Sequence, residues 1–335
     1  MNCRHFILFA LAAILLPIET VAEINPTVPR DTSFTIWSTA LKIRKKHPEA
    51  TVLPANLPEG VSAQENVVYS HLPSTPFGPR DLHVDIYRPE SSDVLPAVIM
   101  IHGGGWNSGD KTLQRPMAMQ LAARGYVAIP LEYRLIPEAL YPAGLHDVKT
   151  AIRWARAHAA DYGIDPEKIA VWGCSAGAQL ATLAGVTNGS QRHEGQGDWS
   201  ETSSDVQAIV NLDGIATFVS PENIADSNDY YAKRGHLHVN ATWLGGLYAD
   251  STDNWNEASA VNWVTDRSAP ICFINSQLPR YCDGCADLAE LYRARGIHSE
   301  RHLLDSDIHP FWFFHPWVDQ ALDHATAFLD STLKQ

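Results

Sequence analysis

The chain has 335 residues, 45% of them hydrophobic and 19% charged, which is an ordinary globular composition with length for one large α/β domain or two small ones. A formal net charge of −13 repels phosphate backbones and anionic lipid, so neither nucleic acid nor a membrane surface is an expected partner. Cysteine is too scarce for a fold built on disulfides.

Residues 1–22 carry Arg4, an apolar run from Phe6 to Leu16, Pro17 and small residues up to Ala22. The run is too short to cross a bilayer, and the pattern is that of a secretory signal peptide cut after Ala22. A secreted or periplasmic product is expected. Cleavage would remove Arg4 and Glu19 and leave the charge balance as it stands. Residues 23–60 read as an N-terminal extension with one short helix, Trp37 and Leu41 on its apolar side and an end near Pro48.

From residue 61 to 335 the pattern is that of a single α/β domain. "ENVVYSHL" and "LHVDIYRP" read as strands separated by a turn-rich stretch. "LPAVIMIH" and "YVAIPLEY" are continuous apolar runs of the kind buried parallel strands need, and "LQRPMAMQLAARG" between them is a helix ended by Gly125. Next comes a helix with Val148, Ala151, Ile152 and Ala155 on one stripe. "KIAVWG", "VQAIVNLDG", "PICFIN" and "HSERHLL" are further strands, and the chain closes on helices. Buried strands alternating with amphipathic helices predict a mostly parallel sheet covered on both faces. Between Val219 and Asp266 the rhythm lapses into a polar region expected to lie over the strand ends, where open α/β sheets place their ligands.

In "VWGCSAGAQL", Ser175 sits where a strand hands over to a helix, with Gly173 and Gly177 two residues to either side. A turn that tight strains the serine backbone and leaves no room for side chains at the flanking positions. It also lifts the hydroxyl above the sheet, as a nucleophile requires. Upstream, "HGGGW" closes an earlier strand. Its bare amides at Gly104 and Gly105, with that of Ala176, form an expected oxyanion hole. No phosphate-loop signature is present near Lys111.

A serine nucleophile needs a base, and the base needs a carboxylate, in the chain order Ser, acid, His. His309 in "DIHPFW" is the leading base and His315 its rival, with a packing role expected for the latter. The carboxylate is expected after "PICFIN": Asp287 fits a G-x-x-D spacing from Gly284, with Asp283 the competitor. Asp213 in "NLDG" could organise the site, though an aspartate at a strand end more commonly caps a turn. His102, Tyr133, Arg134 and Asp147 read as supports of the glycine loop. Trp106 is the expected substrate-binding aromatic; Trp243, Trp255 and Trp312 could also face sugar rings, although core packing explains most tryptophans. For Cys282 and Cys285, spaced C-x-x-C, a local disulfide leads over free thiols and over half a zinc site, which lacks two further ligands at matching spacing.

"HGGGW", "YRLIPEALYPA", "GCSAG", "VNLDGIATF", "FINSQLPR" and "HPFWFFHPW" together resemble exported α/β-hydrolase esterases of the acetylxylan- and pectin-acetylesterase type, cousins of the hormone-sensitive-lipase branch. The resemblance runs from about residue 65 to the C-terminus. It implies an α/β-hydrolase fold, no cofactor, and a triad of Ser175, an aspartate and His309; no metal is expected in the catalytic site. It departs in "YCDGCADL", where Ala286 falls on the first of two acids in the family pattern and Asp287 on the second. The resulting expectation is a serine esterase acting on a small acyl ester or an acetylated polysaccharide. Its rivals are a short-chain carboxylesterase or feruloyl esterase, and a silent sugar-binding hydrolase fold.

Overall fold

The computed structural model describes residues 28–334, so the expected signal peptide lies outside the described residues. Helix α1 (Ile36–Ile43) opens with a reciprocal Thr35–Ser38 capping box. Its buried side is Thr39, Ala40 and Ile43, with Ile36 packed beside them, whereas Trp37 is 66% and Leu41 52% exposed. The sequence offers two apolar stripes on this helix, and the one containing small Ala40 lies against the body, because the alanine lets the helix approach closely. The expectation that Trp37 and Leu41 face inward is therefore corrected.

Strand β1 (Thr51–Val52) pairs with β10 (Phe314–His315), tying the N-terminal segment to the C-terminal one. The main sheet has eight strands in the order β2-β3-β5-β4-β6-β7-β8-β9. Strands β2 (Val61–Leu72) and β3 (Arg80–Pro89) form an antiparallel hairpin, and β3 pairs antiparallel with β5 (Val127–Leu131). The remainder is parallel: β4 (Leu95–Ile101), β6 (Ile164–Cys174), β7 (Ala208–Leu212), β8 (Ile271–Asn275) and β9 (Ser299–Leu303).

Alternation along the strands sends successive side chains to opposite faces and so builds two cores. Ile99, Ile129, Val171, Ile209 and Phe273 join one cluster with α3 (Ala143–Ala157), α5 (Ala176–Val186) and α9 (Cys285–Arg295), while the short α4 (Ala159–Tyr162) adds Ala159. Val98, Ala128, Trp172, Val210 and Cys272 join the other with α1, α2 (Arg115–Ala123) and α10 (Trp317–Leu333). Over the carboxyl ends of the strands lies a cap of α6 (Pro221–Arg234), α7 (Val239–Trp243) and α8 (Thr252–Glu257), in the region where the sequence rhythm lapses.

Candidate active site

Strand β6 ends at Cys174 and α5 begins at Ala176, which leaves Ser175 alone in the turn at φ 55° and ψ −121°. A non-glycine residue in that region is strained and persists only where its surroundings hold it. The Ser175 amide is fixed by the Leu212 carbonyl at 2.8 Å. The flanking glycines are dictated by space: a Cβ on Gly173 would lie 2.1 Å from the Gly177 carbonyl oxygen, and one on Gly177 2.1 Å from that of Ile101.

The glycine loop after β4 approaches this turn at backbone distance. A Cβ on Gly103 would meet the Cys174 carbonyl oxygen at 2.8 Å, and one on Gly104, at φ +125°, would meet Ser108 O at 2.0 Å. Among the described residues the amides of Gly104 and Gly105 donate to no carbonyl. Ala176 opens α5, so its amide is one of the orphan donors of a helix N-terminus. Beneath the loop, His102 Nδ1 lies 2.8 Å from Gly103 O, the Tyr133 hydroxyl donates to His102 O at 2.9 Å, and Arg134 forks onto Asp147. Burial pushes the His102 imidazole down to about 4, so it is neutral near pH 7. His102 and Tyr133 support the glycine loop as expected, whereas the Arg134–Asp147 pair ties the segment after β5 to the start of α3, with Arg134 also donating to Ala143 O.

His309, in the loop between β9 and α10, brings Nε2 to 2.8 Å from Ser175 Oγ. Its Nδ1 lies 3.1 Å from Asp213 Oδ2, at the end of β7. Asp213 is buried and receives the Ser276 amide at 2.8 Å and the Ser276 hydroxyl at 2.6 Å, which fixes the carboxylate. Burial lowers the His309 pKa, opposed by the hydrogen bond and charge of Asp213. The Tyr281 ring stacks on the imidazole at 3.4 Å with 9° between planes, and Trp312 meets it edge-on at 5.1 Å.

The acid assignment is corrected here. Asp287 is exposed in the first turn of α9, and Asp283 accepts from the Ser220 hydroxyl at 2.5 Å and Asn223 Nδ2 at 2.9 Å, fastening its loop to the start of α6. Neither carboxylate bonds to His309. The carboxylate arrives one strand earlier than expected, from β7, and the order Ser, Asp, His is kept. The available signal was "NLDG", an aspartate at the carboxyl end of a strand adjacent to the serine strand. His315 points away, with Nδ1 2.7 Å from Asp319 Oδ2.

Cys282 and Cys285 are also corrected: both are free thiols, donating to Pro279 O and Gly214 O at 3.3 Å each. Cys285 is buried as the first residue of α9, while Cys282 is half-buried in the turn before it. Lys111 is buried against Asp85 at 2.5 Å and serves as that carboxylate's counter-charge.

Ser175 lies at the floor of a cavity of about 690 Å³. Trp106 forms one wall, stacked on Trp243 at 4.6 Å and held through Nε1 to Gln179 Oε1 at 3.3 Å. Trp243, Trp255 and Trp312 are fully buried, which removes them as surfaces for a sugar ring. Helix α6 roofs the cavity with Asn223, Asp226, Ser227, Tyr230, Lys233 and Arg234, one face of the helix at helical spacing.

This architecture, a mostly parallel sheet with a serine at the turn after its central strand and a cap over the strand ends, is the α/β-hydrolase fold. A truncated carbohydrate esterase from gut microbiota superposes with a TM-score of 0.67 at 24% identity, covering 82% of this chain and 97% of that one. The butyrate-bound esterase Est2 of Thermogutta terrifontis gives 0.64 at 23% identity, covering 82% of this chain and 94% of that one. The BD-FAE family profile matches residues 84–280, more than half of the chain, and the protein belongs to that family. The match includes the glycine loop, Ser175 and Asp213 and stops before His309. The esterase LipC of Mycobacterium tuberculosis is 38% identical over 135 residues, covering 39% of this chain and 33% of LipC. The matched segments span about a third to a half of the length of such curated relatives.

Proposed function

We propose that the protein is a carboxylic ester hydrolase that works through an acyl-enzyme on Ser175. The observation carrying this reading is the continuous line from Asp213 through His309 to the Ser175 hydroxyl, facing the amides of the glycine loop. His309 Nε2 takes the Ser175 proton as Oγ attacks the ester carbonyl. The new oxyanion is received by the amides of Gly104, Gly105 and Ala176. As the tetrahedral intermediate collapses, His309 returns the proton to the departing alcohol. A water molecule then repeats the sequence on the acyl-enzyme, releasing the acid and restoring the serine. Asp213 holds the ring so that Nε2 faces the hydroxyl and balances the imidazolium that forms.

The substrate in this reading is an acetylated plant cell-wall polysaccharide of xylan or pectin type. Support comes from the polar face that α6 turns into the cavity, suited to hydroxyl-rich sugars rather than long acyl chains. The similarity to a carbohydrate esterase from gut microbiota fits the same reading. The segment before residue 23 serves as an export signal, consistent with work on a polymer outside the cell.

Active-site titration with a fluorophosphonate should label Ser175 in the folded protein, and absence of labelling would make the fold a binding module. Acetate release from acetylated xylan and pectin, set against hydrolysis of an aryl acetate and a feruloyl ester, tests the substrate class. Exclusive turnover of the aryl or feruloyl ester would replace the polysaccharide reading. N-terminal sequencing of the exported protein tests cleavage after Ala22.

A further inference from the structure

At the far edge of the sheet, Cys272 on β8 stands in register with Glu300 on β9, and His302 follows two residues along the same strand. The thiol sulfur, a Glu300 carboxylate oxygen and a His302 ring nitrogen all lie within 4.8 Å of one another. None of the three lines the cavity above Ser175. We propose that Cys272, Glu300 and His302 form a binding site for a borderline-soft divalent cation of the zinc type, which straps edge strand β9 to its neighbour.

The donor set selects the metal. Thiolate, imidazole and carboxylate together suit zinc and its neighbours, whereas magnesium and calcium take oxygen donors alone. Zinc bonds of about 2.0–2.3 Å place tetrahedral ligands roughly 3.5 Å apart. Glu300 and His302 are partly exposed, with side-chain accessibilities of 31% and 28%, so they can close on the buried sulfur by side-chain rotation.

Neighbouring side chains orient the ligands. Glu300 Oε2 lies 3.2 Å from His302 Nε2, and its other oxygen, Oε1, lies 2.8 Å from His298 Nε2. The His302 ring is stacked on His324 of α10 at 3.9 Å with 17° between planes. Such outer contacts orient metal ligands and are worth 10–100-fold in affinity. Among the described residues no lysine or arginine pairs with Glu300.

On binding, the Cys272 thiol releases one proton to solvent as the sulfur–metal bond forms. His302 supplies the lone pair of a ring nitrogen, Glu300 one oxygen, and water fills the fourth position. No oxidation state changes. Thiolate and carboxylate then neutralise the dication.

The experiment uses the whole protein, stripped with a chelator and titrated with cobalt(II) by absorption and with zinc by calorimetry. One equivalent should bind, with a thiolate-to-cobalt charge-transfer band in the near ultraviolet. Cys272→Ser should abolish the band. His302→Ala, a change at a partly exposed position that guards against a folding defect in the first variant, should weaken binding about tenfold or more. Absence of stoichiometric binding, or a band that survives both substitutions, overturns the proposal. Ester hydrolysis by the stripped protein is measured alongside, so a failure of the metal site and a failure of the catalytic reading are separate results.

Discussion

Asp213 Oδ2 stands 3.1 Å from His309 Nδ1, although 96 residues of chain separate them. Asp213→Asn keeps the shape and removes the charge that holds the productive tautomer, which in comparable triads lowers kcat by about 10⁴-fold. The same loss is expected here, measured with an aryl acetate. Asp287→Asn, at an exposed position, should leave kcat within twofold, on the order of the neutral surface substitutions seen elsewhere. Loss of activity in the second variant and not in the first would reverse the assignment.

Gly104→Ala places a methyl group 2.0 Å from Ser108 O and forces an alanine into φ +125°. The loop must shift, and its amides with it. Disturbing one oxyanion donor costs about 10²–10³ in kcat. The expected signature is a fall in kcat with KM little changed, in protein whose circular dichroism shows an intact fold.

The pH profile follows from the state of His309. The base must be neutral to accept the serine proton, and burial moves its pKa below the ordinary 6.5. A lowered pKa keeps the ring neutral to lower pH, so the acid limb of kcat/KM should have its midpoint below 6.5. A midpoint above that value would mean that Asp213 outweighs burial.

Tyr281 acts through the imidazole it covers, as a positioning residue. Aromatic stacking contributes about 0.5–1.5 kcal/mol beyond buried area, so Tyr281→Ala should lower kcat roughly two- to tenfold and move the acid limb upward as water reaches the ring. Tyr281→Phe keeps the stacking face and should restore both. A purely structural role would leave the limb where it was.

Asp85 is completely buried beside the Lys111 ammonium. Lys111→Met strands the carboxylate, and breaking a buried pair from one side costs about 3–5 kcal/mol. Urea denaturation should show that loss. The paired change Asp85→Leu with Lys111→Met should recover most of it, because no uncompensated charge remains.

Much of the site was legible because steric demands act over a few residues. Gly173 and Gly177 around Ser175, and the glycines after "MIH", announce a strand-to-helix turn and a close backbone approach whatever the rest of the chain does. The strands and most helices were equally readable, since apolar runs and helical stripes report burial directly. The orientation of helix α1 is not legible in the sequence because two stripes compete, and only the body it packs on chooses between them.

The acid was decided elsewhere. Several aspartates satisfy the order of a triad, and spacing cannot rank them, because a hydrogen bond to His309 depends on which strand ends beside which. Strand β7 lies next to the serine strand, and that adjacency puts Asp213 under the imidazole while turning Asp287 to solvent. The unbridged pair Cys282 and Cys285 follows the same logic, because the start of α9 aims one thiol inward. Sequence alone determined the local turns and the residue types of the chemistry. Sheet order decided which distant side chains meet, since contact across a fold is set by packing, which neighbours along the chain do not encode.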